Sequence, residues 1–438
     1  MRHRLRYLRN NFNPRESWTH FRRNMAQMRG TNVWVFILYG LLFDTAANLW
    51  RPFALPFLNR LGGQEIHITL LNSLPGAVAA IVLLPGALLF RKFANQKKAT
   101  AAFILISRAL ILVLALIPTL PAYMRPMFFV LMLGLMNCPD ALSQTSLQSF
   151  LGSVFNGNMR GQAIALRTKF GQAIIPVVSI VTGLVITFVP RTEEQRMMLY
   201  QGFFIIAFLV GVLEVRMFMR LKVEERPPLE NAPEPPRKRE IFRAIVRDKR
   251  FRLFFFPAIF FVFTWQAGWS LFNFHQITVL QATELWFAIF ALASGISAFI
   301  SGSFWQKWLR KYGNNRIFVI SGLLLAANTI MTPFVPNVQI MAVISLFTGF
   351  SAIGINTALL NGVLEATPDE NRMVYLAFYN TIVNVSLFVA PFFALLLFTI
   401  WGNATALFII SGFRILSTGV VWWVHRRVKL RQPAEAQP

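Results

Sequence analysis

Residues 76–95 read GAVAAIVLLPGALLFRKFAN, and residues 295–314 read GISAFISGSFWQKWLRKYGN. The second stretch follows the first by 219 positions, half of the 438-residue length. Six residues coincide without a gap: Gly76 with Gly295, Ala79 with Ala298, Ile81 with Ile300, Arg91 with Arg310, Lys92 with Lys311 and Asn95 with Asn314. Each copy is an apolar run closed by a basic cluster, so the match registers two similar halves of a chain. A second correspondence, at a shift of 212, sets Gln144-Thr145 on Asn356-Thr357, Leu147 on Leu359, Arg160 on Arg372 and Ala165 on Ala377.

Outward from this pair, the chain is apolar almost throughout. Hydrophobic residues make up 55% and charged residues 14%, with a mean hydropathy of +0.52, outside the range of ordinary soluble domains. About 20 mostly apolar residues cross about 30 Å of hydrocarbon as a helix. Twelve stretches qualify, near 33–57, 68–90, 100–119, 126–150, 163–189, 199–219, 252–276, 284–305, 316–335, 338–362, 374–400 and 403–424. Six precede the charged segment 220–250 and six follow it. The expected fold is an all-α polytopic membrane protein, with twelve transmembrane helices in two pseudo-symmetric six-helix bundles. Pro52, Pro139, Pro176 and Pro391 are expected to tilt or break the longer spans.

The net charge of +25 raises the question of nucleic acid, but its distribution argues for membrane topology and against that partner. Arginines crowd residues 2–29, and later basic clusters sit at Arg91, Lys92, Lys97 and Lys98, in the 220–252 segment, at Lys307, Arg310, Lys311 and Arg316, and at Arg426, Arg427, Lys429 and Arg431. The alternate loops hold only Arg60, Arg125, Arg191 and Arg196. The positive-inside rule then expects both termini and the central linker in the cytoplasm, in a multi-pass protein of the cell membrane. The charged first thirty residues contain no apolar core of a cleavable signal. Trp18, Phe21, Met25 and Met28, and likewise Ile241, Phe242, Ile245 and Val246, recur at helical spacing among basic residues, so each half is expected to begin with an interfacial amphipathic helix. The resulting organisation is an amphipathic segment over 1–30, a bundle over 31–221, a linker with an amphipathic helix over 222–250, a second bundle over 251–425 and a tail over 426–438. The linker contains PPLENAPEPP at 227–236.

Several chemistries have no residues to support them. Cys138 is the only cysteine, the five histidines are scattered, and there is no GxxxxGK[ST], HExxH or GxSxG. No enzyme activity, cofactor, metal site or catalytic residue is expected, nor transport driven by nucleotide hydrolysis within this chain.

Twelve spans in two repeats, cytoplasmic ends, a long central linker and basic loops after spans two and eight resemble the major facilitator superfamily of secondary transporters. Gly86-Ala87-Leu88-Leu89-Phe90-Arg91-Lys92 is similar to that family's loop motif in its glycine and basic pair, with Phe90 where an acid is expected. A second copy runs through Gly302, Gln306-Lys307 and Arg310-Lys311-Tyr312-Gly313. The resemblance implies that spans 1, 4, 7 and 10 line a central cavity and that 3, 6, 9 and 12 are peripheral. It also implies that a monomer suffices. Arg91, Lys92, Arg310, Lys311 and Arg372 are the expected gating-loop residues.

Those spans carry polar faces. Asp44, Asn48 and Arg51 sit at i, i+4 and i+7 on span 1, and Asn137, Asp140 and Gln144 share a face of span 4. Span 7 repeats the spacing with Gln266, Ser270 and Asn273. Asn356 on span 10 and Asn380 and Asn384 on span 11 complete the neutral set. A mid-bilayer charge costs about 2.5–3.5 kcal/mol on insertion scales. Two readings of Asp44 and Asp140 therefore stay open. One is a permanent ion pair with Arg51, Arg108 or Arg167; the other, preferred for Asp44, is a carboxylate that faces a cavity and loads and releases a proton. Arg167 is read as snorkelling to the surface. Arg108 and Arg414, in the middle of peripheral spans, must turn inward or pair with an acid.

The leading expectation is a proton-coupled transporter that expels small hydrophobic or amphipathic compounds by alternating access. Asp44 and Asp140 would carry protons, and the neutral residues with Arg51 would bind substrate. The alternatives are proton-coupled uptake of a sugar, metabolite or siderophore-like solute and, in a different class, a membrane receptor or lipid scramblase.

Overall fold

The computed structural model of the protein describes residues 31–90, 95–155, 157–222, 247–367 and 372–431. The two expected amphipathic patterns and the Arg91-Lys92 pair lie outside these residues. A backbone in hydrocarbon must bond to itself, and every regular element among the described residues is helical. Span 1 is Asn32–Asn48 continued, after a 3-10 turn at Arg51–Phe53, by Ala54–Arg60. Spans 2 to 6 are Glu65–Phe90, Gln96–Leu114, Arg125–Val154, Gly157–Phe188 and Glu193–Met219. Spans 7 to 10 are Lys249–Phe274, Glu284–Tyr312, Asn314–Met331 and Val338–Ala366. Spans 11 and 12 lie within the continuous stretch Arg372–Arg431, divided at Gly402, whose φ of 74° breaks the helix. That stretch runs beyond the boundary expected at 425.

Side chains mark where several helices leave the loops. Asn95, Thr192, Asp248 and Asn337 each accept a hydrogen bond from the backbone N–H three residues on, satisfying donors that the first turn cannot. Gly313 separates spans 8 and 9 with a φ of 78°, a left-handed geometry that costs glycine nothing. Of the four prolines expected to break spans, only Pro52 falls at a change of helix type; Pro139, Pro176 and Pro391 remain inside helices. Neighbouring helices can re-satisfy the groups that a buried proline frees.

The packing repeats the duplication seen in the sequence. Span 1 packs on spans 5 and 6, span 4 on 2 and 3, and span 3 on 6; in the second half span 10 packs on 8 and 9. The halves meet through span 2 against the span 11–12 stretch and span 5 against span 8. Lipid removes the hydrophobic drive between helices, so contact rests on close approach. At Gly76 the backbone of Asn384 and the side chain of Leu387 come so near that a Cβ would overlap them.

The apolar core is joined at one end and divided at the other. Away from the termini, one cluster runs from Phe53, Phe57 and Phe129 of the first half to Leu271, Phe287 and Leu407 of the second. At the terminal end the clusters are separate, one around Phe36, Tyr39 and Phe218, one around Phe251, Phe261 and Trp305, and a small one at Ala99 and Leu142. Large apolar residues such as Ile81, Phe188, Phe256, Phe299 and Ile300 are exposed on the outside, as a lipid-facing belt requires.

Candidate functional site

Between the halves lies a cavity of about 640 Å³, within the range of small-molecule sites. Its wall draws on spans 1, 2, 4, 7, 8 and 10, with Arg51, Asn72, Asn137, Asn273, Gln276 and Thr348 among the polar groups and Trp269, Phe272 and Phe290 among the aromatic ones. A second space of about 400 Å³ is lined by Trp265, Gln266, Asn356 and Leu387 and shares Leu71, Asn72, Pro75 and Trp269 with the first. Among the described residues Arg51 is the single charged one lining either space. Asn72 accepts a 3.2 Å hydrogen bond from Asn273 across the two halves.

Five of the sequence-derived binding residues thus line these spaces: Arg51, Asn137, Gln266, Asn273 and Asn356. The other five line neither space. Asn48 donates to the Asp44 carbonyl and accepts from Ser179, Ser270 is fully buried, Asn384 donates to the carbonyl of Asn380, and Gln144 sits off both walls. Arg310 and Lys311 are exposed at the end of span 8. Arg372 opens the stretch of spans 11 and 12.

Asp44 and Asp140 line neither of these two spaces, and both are held in ion pairs, one of the two readings that the sequence left open. Helical phase put Asp44 and Arg51 on one face, but the helix tightens to 3-10 at Arg51–Phe53 and re-aims Arg51. Asp44 turns to span 5, where Arg167 meets it at 3.4 Å and Gly171 lies so close that a Cβ would overlap its Oδ2. Arg167 therefore does not snorkel to the surface. Arg51 turns to span 4 and donates to Asp140 Oδ2 at 2.8 Å. Asp140 Oδ1 also accepts from Arg108 and Ser107, each at 3.3 Å.

Arg108 continues inward to Glu214 on span 6, donating from Nε at 2.8 Å and from Nη2 at 3.1 Å. Glu214 is wholly buried. Sequence reading passed over it, although a glutamate inside an apolar span carries the same insertion cost that singled out Asp44. The three guanidiniums of Arg51, Arg108 and Arg167 stand 6.0, 5.4 and 5.7 Å from the ring centre of Phe43. Three arginines thus meet three carboxylates around one aromatic ring.

The second half holds one such charge. Arg414 turns inward and donates to the carbonyls of Leu325, Thr264 and Trp265 at 3.1, 3.2 and 3.3 Å, and to the Thr329 hydroxyl. No ion pair reaches it among the described residues.

At the end away from the termini, the halves are pinned by charge. Arg60, closing span 1, donates to Glu284, opening span 8, at 2.5 and 3.2 Å. Glu193 meets Arg60 at 2.8 Å and Tyr200 donates to Glu284 at 3.1 Å. Nearby, the Leu285 N–H donates to Thr187. Sequence reading had placed Arg60 only as a loop charge.

Solved transporters share this helical fold. A POT family transporter in complex with a thioalcohol-conjugated peptide superposes with a TM-score of 0.66, at 13% identity over 90% of this chain and 96% of that one. The nucleoside transporter NupG gives 0.67, at 12% identity over 90% and 99%. A bacterial homologue of the human lysosomal transporter Spinster, inward-facing and unoccupied, gives 0.63, at 14% identity over 92% and 98%. At such identities the likeness is one of fold. No curated protein sequence matches the chain. The family model described as Major Facilitator Superfamily matches residues 35–361 and again 278–438, and with two six-helix halves around a shared cavity the chain belongs to that superfamily of membrane transporters.

Proposed function

We propose that the protein is a secondary active transporter that exchanges protons for small amphipathic or hydrophobic compounds by alternating access, in the direction of efflux. The observation that carries this reading is the joined-and-divided core. The halves share one cluster and the Arg60–Glu284 pin at one end, while at the terminal end their cores are separate. Such a molecule can open on either side of its central cavity by rocking one half on the other. The basic residues of the terminal face support a cytoplasmic side there in a cell-membrane protein, and in that orientation this form opens inward.

Asp44 is the proposed proton carrier. Its one ion pair, at 3.4 Å, is the loosest hold on any of the three acids around Phe43, whereas Asp140 and Glu214 each have at least two donors. Asp140 is thereby reassigned from proton carriage to ordering Arg51. Arg51, Asn137, Gln266, Asn273 and Asn356 form the proposed substrate contacts.

Purified protein in liposomes with an imposed pH gradient tests both parts. Gradient-driven substrate movement is expected to vanish in Asp44→Asn, while exchange of substrate across the membrane without a gradient persists. Undiminished gradient-driven movement in that variant would sink the coupling role. Substrate accumulation toward the terminal face would mean uptake, and gradient-independent lipid movement without solute transport would mean a scramblase.

A further inference from the structure

We infer that the transported compound is an amphipathic anion whose charged head, a carboxylate or a group of like geometry, docks on Arg51 in place of Asp140. The inference rests on the transporter reading above and names the substrate class of that cavity.

The charge distribution of the walls points this way. Among the described residues the two adjoining spaces are lined by one cation and no anion, with amide, hydroxyl and aromatic groups elsewhere. A cationic compound would find no countercharge there, and the desolvation of its head would go uncompensated. A carboxylate finds a planar guanidinium, the donor best matched to it in a two-point contact.

Arg51 is also placed to accept a guest. Its side chain is 42% exposed, and of its three nitrogens only Nη2 donates to a protein acceptor among the described residues. The Asp140 that it holds is not dependent on it, because Arg108 and Ser107 donate to the other carboxylate oxygen. A ligand can therefore take over Arg51 without leaving a bare acid in the bilayer. Trp50 flanks the same point: its ring lies 5.6 Å from the Arg51 guanidinium, and its buried indole N–H meets no acceptor among the described residues. The neutral second space, with Trp265, Gln266 and Asn356, suits the uncharged body.

The test is equilibrium binding to the full-length protein in nanodiscs, with no gradient. The probes share a body and differ in head: naphthyl, indolyl and octyl compounds, each as carboxylate, primary amide and primary amine. Within each body the carboxylate is expected to bind about tenfold or more tightly than the amide, the factor that a charge-assisted hydrogen bond is worth, with the amine weakest. Arg51→Gln should erase that preference and Arg51→Lys should keep part of it. Asp140→Asn, which frees Arg51 of its competitor, should tighten carboxylate binding; a merely structural role for the pair would not produce a gain, and this arm stands even if Arg51→Gln fails to fold. Equal affinity across heads, preference for the amine, carboxylate preference surviving Arg51→Gln, or no saturable carboxylate binding overturns the inference. Because no gradient is used, such a failure leaves proton coupling standing, while loss of coupling in Asp44→Asn leaves the head-group preference untouched.

Discussion

In the first half, spans 3 and 6 are tied by Arg108 and Glu214; in the second, spans 9 and 12 are tied by Arg414, which reaches Thr329 and the carbonyl of Leu325. The two ties join equivalent pairs of helices in the duplication, yet one is an ion pair and the other an arginine that caps backbone and a hydroxyl. Arg108 further bridges to Asp140, and through it to the cavity-lining Arg51. The corresponding neutral link from span 9 to span 10 is Asn328 to Thr348. An ionic chain thus runs from the cavity wall into the first half, whereas among the described residues no acid lies along the corresponding seam of the second. One half responds and the other holds shape.

The most damaging way to probe this contrast is Glu214→Ala. It leaves the buried Arg108 guanidinium with only the longer Asp140 and Ser107 hydrogen bonds, each 3.3 Å, and loss of one partner of a buried pair costs about 3–5 kcal/mol. Unfolding of the purified variant in detergent should show that loss; a variant as stable as wild type would mean the first-half seam is not ionic in any energetic sense. A smaller effect is expected at Gly171, where an added Cβ would push Asp44 away from Arg167. Gly171→Ala should cost about 1–3 kcal/mol, the usual penalty of overpacking, and should lower gradient-driven transport. Gly412→Ala is the matched control in the second half. Nothing lies within 4 Å of its added Cβ, so the higher helix propensity of alanine should leave it as stable or slightly more so.

The layout of the fold could be read from the sequence because duplication, apolar length and basic loops each leave a linear trace. The cavity faces were legible as far as helical phase holds. Gln266 and Asn273 both line the interface as their spacing indicates, whereas Asp44 and Arg51 parted company at a 3-10 turn that phase does not anticipate. Pairings were harder. Phase says which way Arg108 points but not that Glu214, 106 residues on, stands opposite it. Among the described residues Arg414 has no acid to find, since its acceptors are one threonine hydroxyl and carbonyls that every residue possesses.

The last contrast to sharpen is therefore Arg414→Met, for which the smallest change is expected. The carbonyls that Arg414 caps belong to helices that use them internally, and Thr329 also donates to Leu325 at 2.9 Å, so removing the guanidinium strands none of them. Arg414 itself is wholly buried, and its Nε has no acceptor; that desolvation is relieved by an apolar side chain of similar length. Stability within about 1 kcal/mol of wild type, or above it, follows from the balance of lost hydrogen bonds against recovered desolvation. The measurement is detergent unfolding beside Glu214→Ala. If Arg414→Met proves the more damaging of the two, the second half is held by charge as firmly as the first, and the division into a responsive and a static half fails.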